Sequence, residues 1–229
     1  NSLCKAQDPF WEVVSEMPIP IYGGEAIVHE SLIYLIGGYS DSTYSALNII
    51  QSYNPRTDTW AVLDDTLNNP RYGFVADYYN NSLIIIGGAS PGEGENYRME
   101  RWNFIDNPAE SDSNYNFNRL YATGNIVGDV LYLFGGYPDY RYTVDSLSMP
   151  YIVGYDIPTK TVVYENHDIY VDNGIDESLP YQQTSVVFDN SIYLFGGVYG
   201  GVLIEVFNFE QVEKGWSSVF PALFEERAG

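Results

Sequence analysis

One short stretch of this chain, LIYLIGG at residues 32–38, decides the fold because three close copies of it follow. The copies are LIIIGG at 83–88, VLYLFGG at 130–136 and IYLFGG at 192–197. From each glycine doublet to the next, the intervals are 50, 48 and 61 residues. A period of about 50 residues predicts a repeat architecture, and the longer third interval predicts an insertion of roughly ten residues.

The four apolar runs predict strands that are buried on both faces, because they do not alternate with polar residues. The doublets fit a close approach of backbones near a crowded axis, and we expect them to mark equivalent inner strands of stacked sheets. A further strand precedes each run, and a pair of turn residues joins the two. Three pairs are typical of tight hairpins and the first fits poorly. The pairs are His29-Glu30, Asn80-Asn81, Gly128-Asp129 and Asp189-Asn190.

A turn rich in Pro and Thr follows the third strand of the first repeat, in the sequence YNPRTDTW at 53–60. The third repeat keeps its register as YDIPTKTV at 155–162, where Val162 stands in the position of Trp60. Such turn chemistry separates two strands. The glycine doublet followed by Tyr-x-Pro-x-Thr-x-x-Trp resembles the kelch repeat. That resemblance implies four-stranded blades around a central channel.

The predicted fold is therefore an all-β, kelch-type β-propeller segment that occupies residues 1–229 as one unit. Its four complete repeats are expected at 23–63, 71–117, 119–165 and 181–219. Trp11, Trp60 and Trp216 each precede a glycine by 13 residues, namely Gly24, Gly73 and Gly229. This spacing predicts partial blades at both ends, with 8–14 as the outer strand of a preceding blade and 225–229 as the start of a following one. We expect a larger propeller of about five to eight blades or an assembly with another chain; a closed four-blade ring is the alternative.

The charge of the chain is strongly acidic, with 31 Asp and Glu against 10 Lys and Arg, for a formal net charge of -21. Such a surface repels phosphate backbones and anionic membranes, so nucleic acid is an unfavourable partner. No apolar run reaches the length of a membrane span, so we expect no membrane insertion. The acidity, the few lysines and a glycosylation sequon at Asn80 favour an extracellular or cell-surface location, and a cytoplasmic one is the alternative.

The sequence predicts a non-enzymatic protein without catalytic residues, metal or cofactor. Cys4 is the single cysteine, which excludes an intramolecular disulfide, and the two histidines, His29 and His167, lie far apart in the chain. The acidic segment 172–177 lacks the alternating ligands of a calcium loop. No phosphate-binding loop or HExxH motif is present. The alternative is a sugar-active propeller enzyme, similar to the propeller oxidases or mutarotases.

Recognition is expected on one face of the propeller. In an up-and-down blade of four strands, the loop after each doublet lies on the same face as the links between blades, and loops on a rigid scaffold often carry binding residues. Tyrosine and arginine are favoured at interfaces. We therefore expect a protein- or glycan-binding or structural interaction module that uses Tyr39, Tyr44, Arg71, Tyr97, Arg98, Tyr137, Tyr140, Arg141, Tyr142 and Tyr199.

Overall fold

The computed structural model describes residues 13–89, 99–104, 110–112, 117–137, 150–166, 182–189, 191–197, 204–207 and 216–219. Regular structure in these ranges consists of strands. Across them we find no helical segment with the length and hydropathy of a membrane span. The predicted partial blade at 225–229 lies outside these ranges, as does most of 8–14.

Four antiparallel sheets of four strands follow one another along the chain, which confirms the predicted all-β fold with four complete blades. Blade 1 contains β1 Glu25–His29, β2 Leu32–Ile36, β5 Ile50–Asn54 and β6 Thr59–Val62, and a small ribbon of β3 Tyr39–Ser40 and β4 Ser45–Ala46 lies in its loop. Blade 2 contains β7 Tyr72–Tyr79, β8 Ser82–Ala89, β9 Met99–Asn103 and β10 Glu110–Asp112. Blade 3 contains β11 Thr123–Val127, β12 Val130–Phe134, β13 Ile152–Asp156 and β14 Thr161–Asn166. Blade 4 contains β15 Thr184–Phe188, β16 Ser191–Phe195, β17 Ile204–Phe207 and β18 Trp216–Val219.

The first strands of neighbouring blades contact one another, β1 with β7, β7 with β11 and β11 with β15. These first strands therefore lie nearest the common axis. The strands that lead into the glycine doublets are second in each sheet, so they are equivalent inner strands, as predicted, and lie one strand out from the axis. Beyond the doublets, the third and fourth strands pair in a shared register, with Tyr53 opposite Trp60 and Tyr155 opposite Val162.

The second strands of blades 2 and 3, β8 and β12, are buried on both faces, as their apolar sequence predicts. Along β8, Leu83 and Ile85 pack into the core between blades 1 and 2. The alternate residues Ile84 and Ile86 pack into the core between blades 2 and 3. A third core joins blade 3 to blade 4. Successive side chains of a strand point to opposite faces, so one apolar strand serves two interfaces.

The first hairpin turn differs from its prediction. His29 is the last residue of β1 and pairs with Leu32, and the turn is Glu30-Ser31. Glu30 has a φ of 53°, a backbone conformation that non-glycine residues adopt uncommonly. The shift by one residue explains why His29-Glu30 fitted a tight turn poorly.

One flank of blade 4 remains open to solvent. Val186 and Phe188 on β15 are 48% and 69% exposed. The corresponding residues of β11, Asn125 and Val127, are partly buried on the side of blade 4. The described residues thus form a row of four blades, and the expected larger propeller or assembly stays a prediction.

Candidate binding site

The segments that lead into successive blades, here called links, each contain one residue with a positive φ at an equivalent position. Gly23, Gly73, Tyr121 and Gln182 all have φ between 56° and 63°. Their backbones form a chain of hydrogen bonds from blade to blade, in which Gly73 N donates to Gly23 O at 2.7 Å and Tyr121 N to Gly73 O at 2.7 Å. Gln182 N continues the series by donating to Tyr121 O at 2.9 Å. Gly73 therefore corresponds to Gly23, and its equivalence with Gly24, expected from the tryptophan spacing, is wrong.

The glycine doublets hold these links against the blades. The Gly88 amide donates to the Arg119 carbonyl at 2.8 Å. A Cβ atom added at Gly87, whose φ is 70°, would lie 2.6 Å from that same oxygen. Because the obstructing atom belongs to the backbone, it has little freedom to move. The doublet is thus required by the close approach of two blades.

The loops after the doublets lie beside the links, as the up-and-down topology predicts. Tyr22 and Tyr39 exchange backbone hydrogen bonds of 3.0 and 2.8 Å. Leu120 and Tyr137 repeat this arrangement in blade 3, at 2.9 and 3.0 Å. Two of the expected binding residues, Tyr39 and Tyr137, therefore stand next to the links between blades.

Five tyrosine rings form a continuous row across this end of blades 1–3. Successive ring centroids are separated by 5.3, 5.4, 6.2 and 6.0 Å. We call this set the tyrosine row; in order it contains Tyr22, Tyr39, Tyr72, Tyr121 and Tyr137. Such spacings are typical of interacting aromatic pairs. Burial, followed by the neighbouring Tyr72 and Tyr22, raises the pKa of the Tyr121 phenol, so it keeps its proton at neutral pH.

The sequence interpretation missed three members of the row, Tyr22, Tyr72 and Tyr121. A signal was present, because Tyr22 and Tyr72 each precede the glycine with positive φ in their links. The wrong alignment of Gly24 with Gly73 concealed this correspondence.

A cavity of about 430 Å³ opens beside the tyrosine row, where the links of all four blades meet. We call it the axial pocket. Its walls consist of Tyr22, Gly23, Gly24, Glu25, Gly73, Phe74, Tyr121, Ala122, Gln182 and Gln183. The volume lies within the range of small-ligand sites.

Glu25 is the acidic residue of the axial pocket. Burial, with a smaller contribution from the nearby Asp77 carboxylate, raises the pKa of Glu25 from 4.5 to about 7. Asp77 itself accepts hydrogen bonds from the backbone amides of Ile126 and Tyr78, each at 2.7 Å. The pocket therefore contains a carboxyl group whose charged form is poorly solvated.

Arg71 does not lie at the edge of the recognition face, and this part of the prediction is wrong. Its side chain is fully buried and forms an ion pair with Glu100 of β9, which is also fully buried. A second bond from the guanidinium reaches the Gly87 carbonyl at 3.0 Å. Two further donors bind Glu100, the Asn68 amide and the Asn69 side chain, both at 3.0 Å. Arg71 thus anchors a link to its blade.

Arg119 occupies the same position in the next link and binds different acceptors. It donates to the Gly135 carbonyl at 2.7 Å and to the Tyr151 carbonyl at 3.3 Å, and it also bonds the carbonyl of Pro150. In the first link the third-strand residue Gln51 exchanges two hydrogen bonds of 2.9 Å with the backbone of Ile19. The links into blades 1, 2 and 3 are therefore each fastened by a buried polar side chain, with chemistry that varies from blade to blade.

The remaining expected residues divide into one that is exposed and six that lie outside the described ranges. Tyr44 is 79% exposed in the loop after the first doublet. The six are Tyr97, Arg98, Tyr140, Arg141, Tyr142 and Tyr199. His29 lies at the opposite end of β1, stacked on Phe104 at 3.9 Å between ring centroids. A search of the described part of the chain finds no group of three or more potential metal ligands.

Comparison with known proteins supports the repeat assignment. The kelch motif is matched at residues 20–65, which include all of blade 1. A kelch domain-containing protein of Saccharolobus solfataricus is 29% identical over 137 residues, or 55% of this chain and 17% of that protein. Kelch-like protein 23 of Pongo abelii is 30% identical over 199 residues, or 83% of this chain and 31% of that protein. Kelch repeat and BTB domain-containing protein 1 of camelpox virus is 35% identical over 82 residues, or 35% of this chain and 14% of that protein.

The chain spans less than a third of the length of these curated relatives. The family-model match coincides with blade 1, and the relatives carry kelch in their names. From the doublets, the sheet topology and these similarities together, we conclude that the chain belongs to the kelch-repeat family of all-β propeller proteins.

Proposed function

We propose that this chain is a protein-interaction module that binds its partner on the link face. The link face consists of the tyrosine row, Tyr44 and the mouth of the axial pocket. The observation that carries the proposal is the continuous tyrosine row across three blades. Tyrosine supplies a large apolar area with a polar end and is enriched among residues that dominate binding energy.

The rigidity of the surroundings supports the same proposal. The links are tied to one another by backbone hydrogen bonds, and buried arginines anchor two of them. A surface that is ordered before binding loses less conformational entropy when a partner docks. The six expected residues outside the described ranges follow the second, third and fourth doublets in sequence, and their part in this face stays a prediction; Arg71 is not included.

Site-specific photo-crosslinking tests the proposal. A benzophenone amino acid is placed at Tyr44 on the link face or, as a matched control, at Tyr78, which is a 40% exposed tyrosine near the other end of β7. We expect discrete protein adducts from position 44 and few from position 78. Their yield should fall in a Tyr140→Ala plus Arg141→Ala background and in a Tyr39→Ala background.

Adducts that form equally at both positions, or only at position 78, would place binding elsewhere. A glycan array with the same protein distinguishes protein binding from the glycan-binding alternative. If the chain binds glycans instead, we expect it to bind oligosaccharides on the array and to form no protein adduct at position 44. Binding to both faces with similar yield in all variants would reject the link face as a specific surface.

A further inference from the structure

We propose that the axial pocket receives a basic side chain, lysine or arginine, of the partner protein, with Glu25 as its counter-charge and tyrosine rings at its mouth. This inference rests on the proposed function and specifies the chemistry that the link face recognises. It assigns a binding role to a cavity formed by the links of four blades rather than by one loop.

The position of Glu25 is the first argument. It lies at the start of β1 and lines the pocket together with residues from the links into blades 2, 3 and 4. Within the described ranges no side chain forms an ion pair or hydrogen bond with its carboxyl group, in contrast to Glu100. Glu25 is partly buried, and a carboxylate that loses part of its hydration without gaining a cation is unfavourable. An incoming cation would relieve that cost.

The charges around the pocket are the second argument. Asp77 of β7 is close enough to disfavour the charged form of Glu25. Two basic residues, Arg71 and Arg119, lie two positions before lining residues of the pocket. Arg71 is paired with Glu100, and Arg119 donates to backbone carbonyls. The whole chain carries a formal charge of -21. The local and the overall field therefore both attract a cation and repel an anion.

The uncharged walls of the pocket favour an organic cation over a metal ion. Calcium takes six to eight oxygen ligands and favours several carboxylates, whereas the side chains of the described lining residues offer one carboxyl group, two glutamine amides and two tyrosine rings. Ammonium and guanidinium groups bind aromatic rings through cation–π attraction. Tyr22 and Tyr121 line the pocket and belong to the tyrosine row, so a basic side chain would pass the rings before reaching Glu25.

Titration with small probes tests this inference directly. The probes are the N-acetyl methylamides of lysine and arginine, with the norleucine compound as a neutral control of similar shape. Binding is followed by NMR on the intact chain at low ionic strength. We expect saturable binding of a basic probe, about tenfold weaker or absent for norleucine and for the Glu25→Gln variant. Glu30→Gln, which removes an identical charge at the other end of β1, should bind as the parent does.

The pH dependence supplies a second readout. The titratable groups that face Glu25 are Asp77 of β7 and the phenols of Tyr22 and Tyr121, beside the neutral amides of Gln182 and Gln183. With the pKa of Glu25 raised to about 7, affinity for a basic probe should rise severalfold from pH 6 to pH 8. It should stay flat in Glu25→Gln, whose folding is checked by circular dichroism.

Equal binding of the lysine and norleucine probes, or unchanged binding by Glu25→Gln, would overturn the inference. If position 44 still forms protein adducts in that case, the interaction module stands and only the basic side chain is rejected. If the basic probes bind and position 44 forms no adduct, the pocket is retained and the proposed protein partner is rejected.

Discussion

Two glutamates, one fully buried and one partly buried, differ in the partners of their carboxyl groups. Glu100, on the third strand of blade 2, accepts hydrogen bonds from three residues of the link into that blade, Asn68, Asn69 and Arg71. Glu25, at the axis, faces tyrosines, glutamines and another carboxylate. The first is satisfied by the fold itself. The carboxyl group of Glu25 has no such partner among the described side chains, and we propose that a cation of the binding partner supplies one. Glu100 therefore stabilises the fold, whereas Glu25 is proposed to act in binding.

The largest expected effect comes from breaking the satisfied acid. Glu100→Val, which copies the residue at the corresponding position of blade 3, Val153, leaves the Arg71 guanidinium buried without its counter-ion. We expect a loss of about 3–5 kcal/mol in the free energy of unfolding, measured by urea denaturation. Arg71→Met combined with Glu100→Val should recover most of that loss. Equal destabilisation by the double variant would show that the ion pair is not the cause.

The opposite sign is expected for the unsatisfied acid. Because folding raises the pKa of Glu25 from 4.5 to about 7, the folded state binds the proton more tightly than the unfolded chain. The contribution to stability is present below pH 4.5 and is lost as the pH rises through 7, by up to about 3 kcal/mol. Glu25→Gln should therefore stabilise the protein at pH 8 and have little effect at pH 4.5, as measured by thermal unfolding. A pH-independent effect of this substitution would contradict a raised pKa.

An intermediate effect is expected at Arg119, a buried cation that is held by carbonyls instead of an acid. Arg119→Met leaves three buried carbonyl groups with one donor fewer each. We expect a loss of about 2 kcal/mol in urea denaturation, with less recovery from any second substitution than at Arg71. A loss as large as that of Glu100→Val would show that pairing with a carboxylate does not make the buried arginine more costly to disturb than pairing with carbonyls.

The smallest change in stability is expected at Asp129, an exposed carboxylate that accepts a hydrogen bond from a neutral hydroxyl group. The Tyr79 hydroxyl donates to Asp129 across blades 2 and 3 at 2.7 Å. Tyr79→Phe removes that bond and keeps the ring in its core, so a loss of about 1 kcal/mol is expected. Asp129→Asn should cost less, since an amide oxygen can still accept the bond. A larger loss for Asp129→Asn than for Tyr79→Phe would point to another role for the carboxylate.

The sequence predicted the blades better than the site, for a physical reason. Strands such as β8 are specified by a continuous apolar run and by two glycines that allow close backbone contact. A short segment of sequence is therefore enough to predict such a strand. Arg71 was expected at the surface because its partners lie 29 and 16 residues away, and no local pattern reveals such contacts. Glu25 was not singled out, since its pocket exists only once the links of four blades meet.

The division of the interior into three interblade cores has a consequence for how the molecule comes apart. Each apolar core joins only adjacent blades, so the chain approximates a one-dimensional array with nearest-neighbour coupling. Blades 1 and 4, each held on one side only within the described residues, should open more readily than blades 2 and 3. Hydrogen exchange is then expected to be graded along the array, with the amides of β8 among the most slowly exchanging.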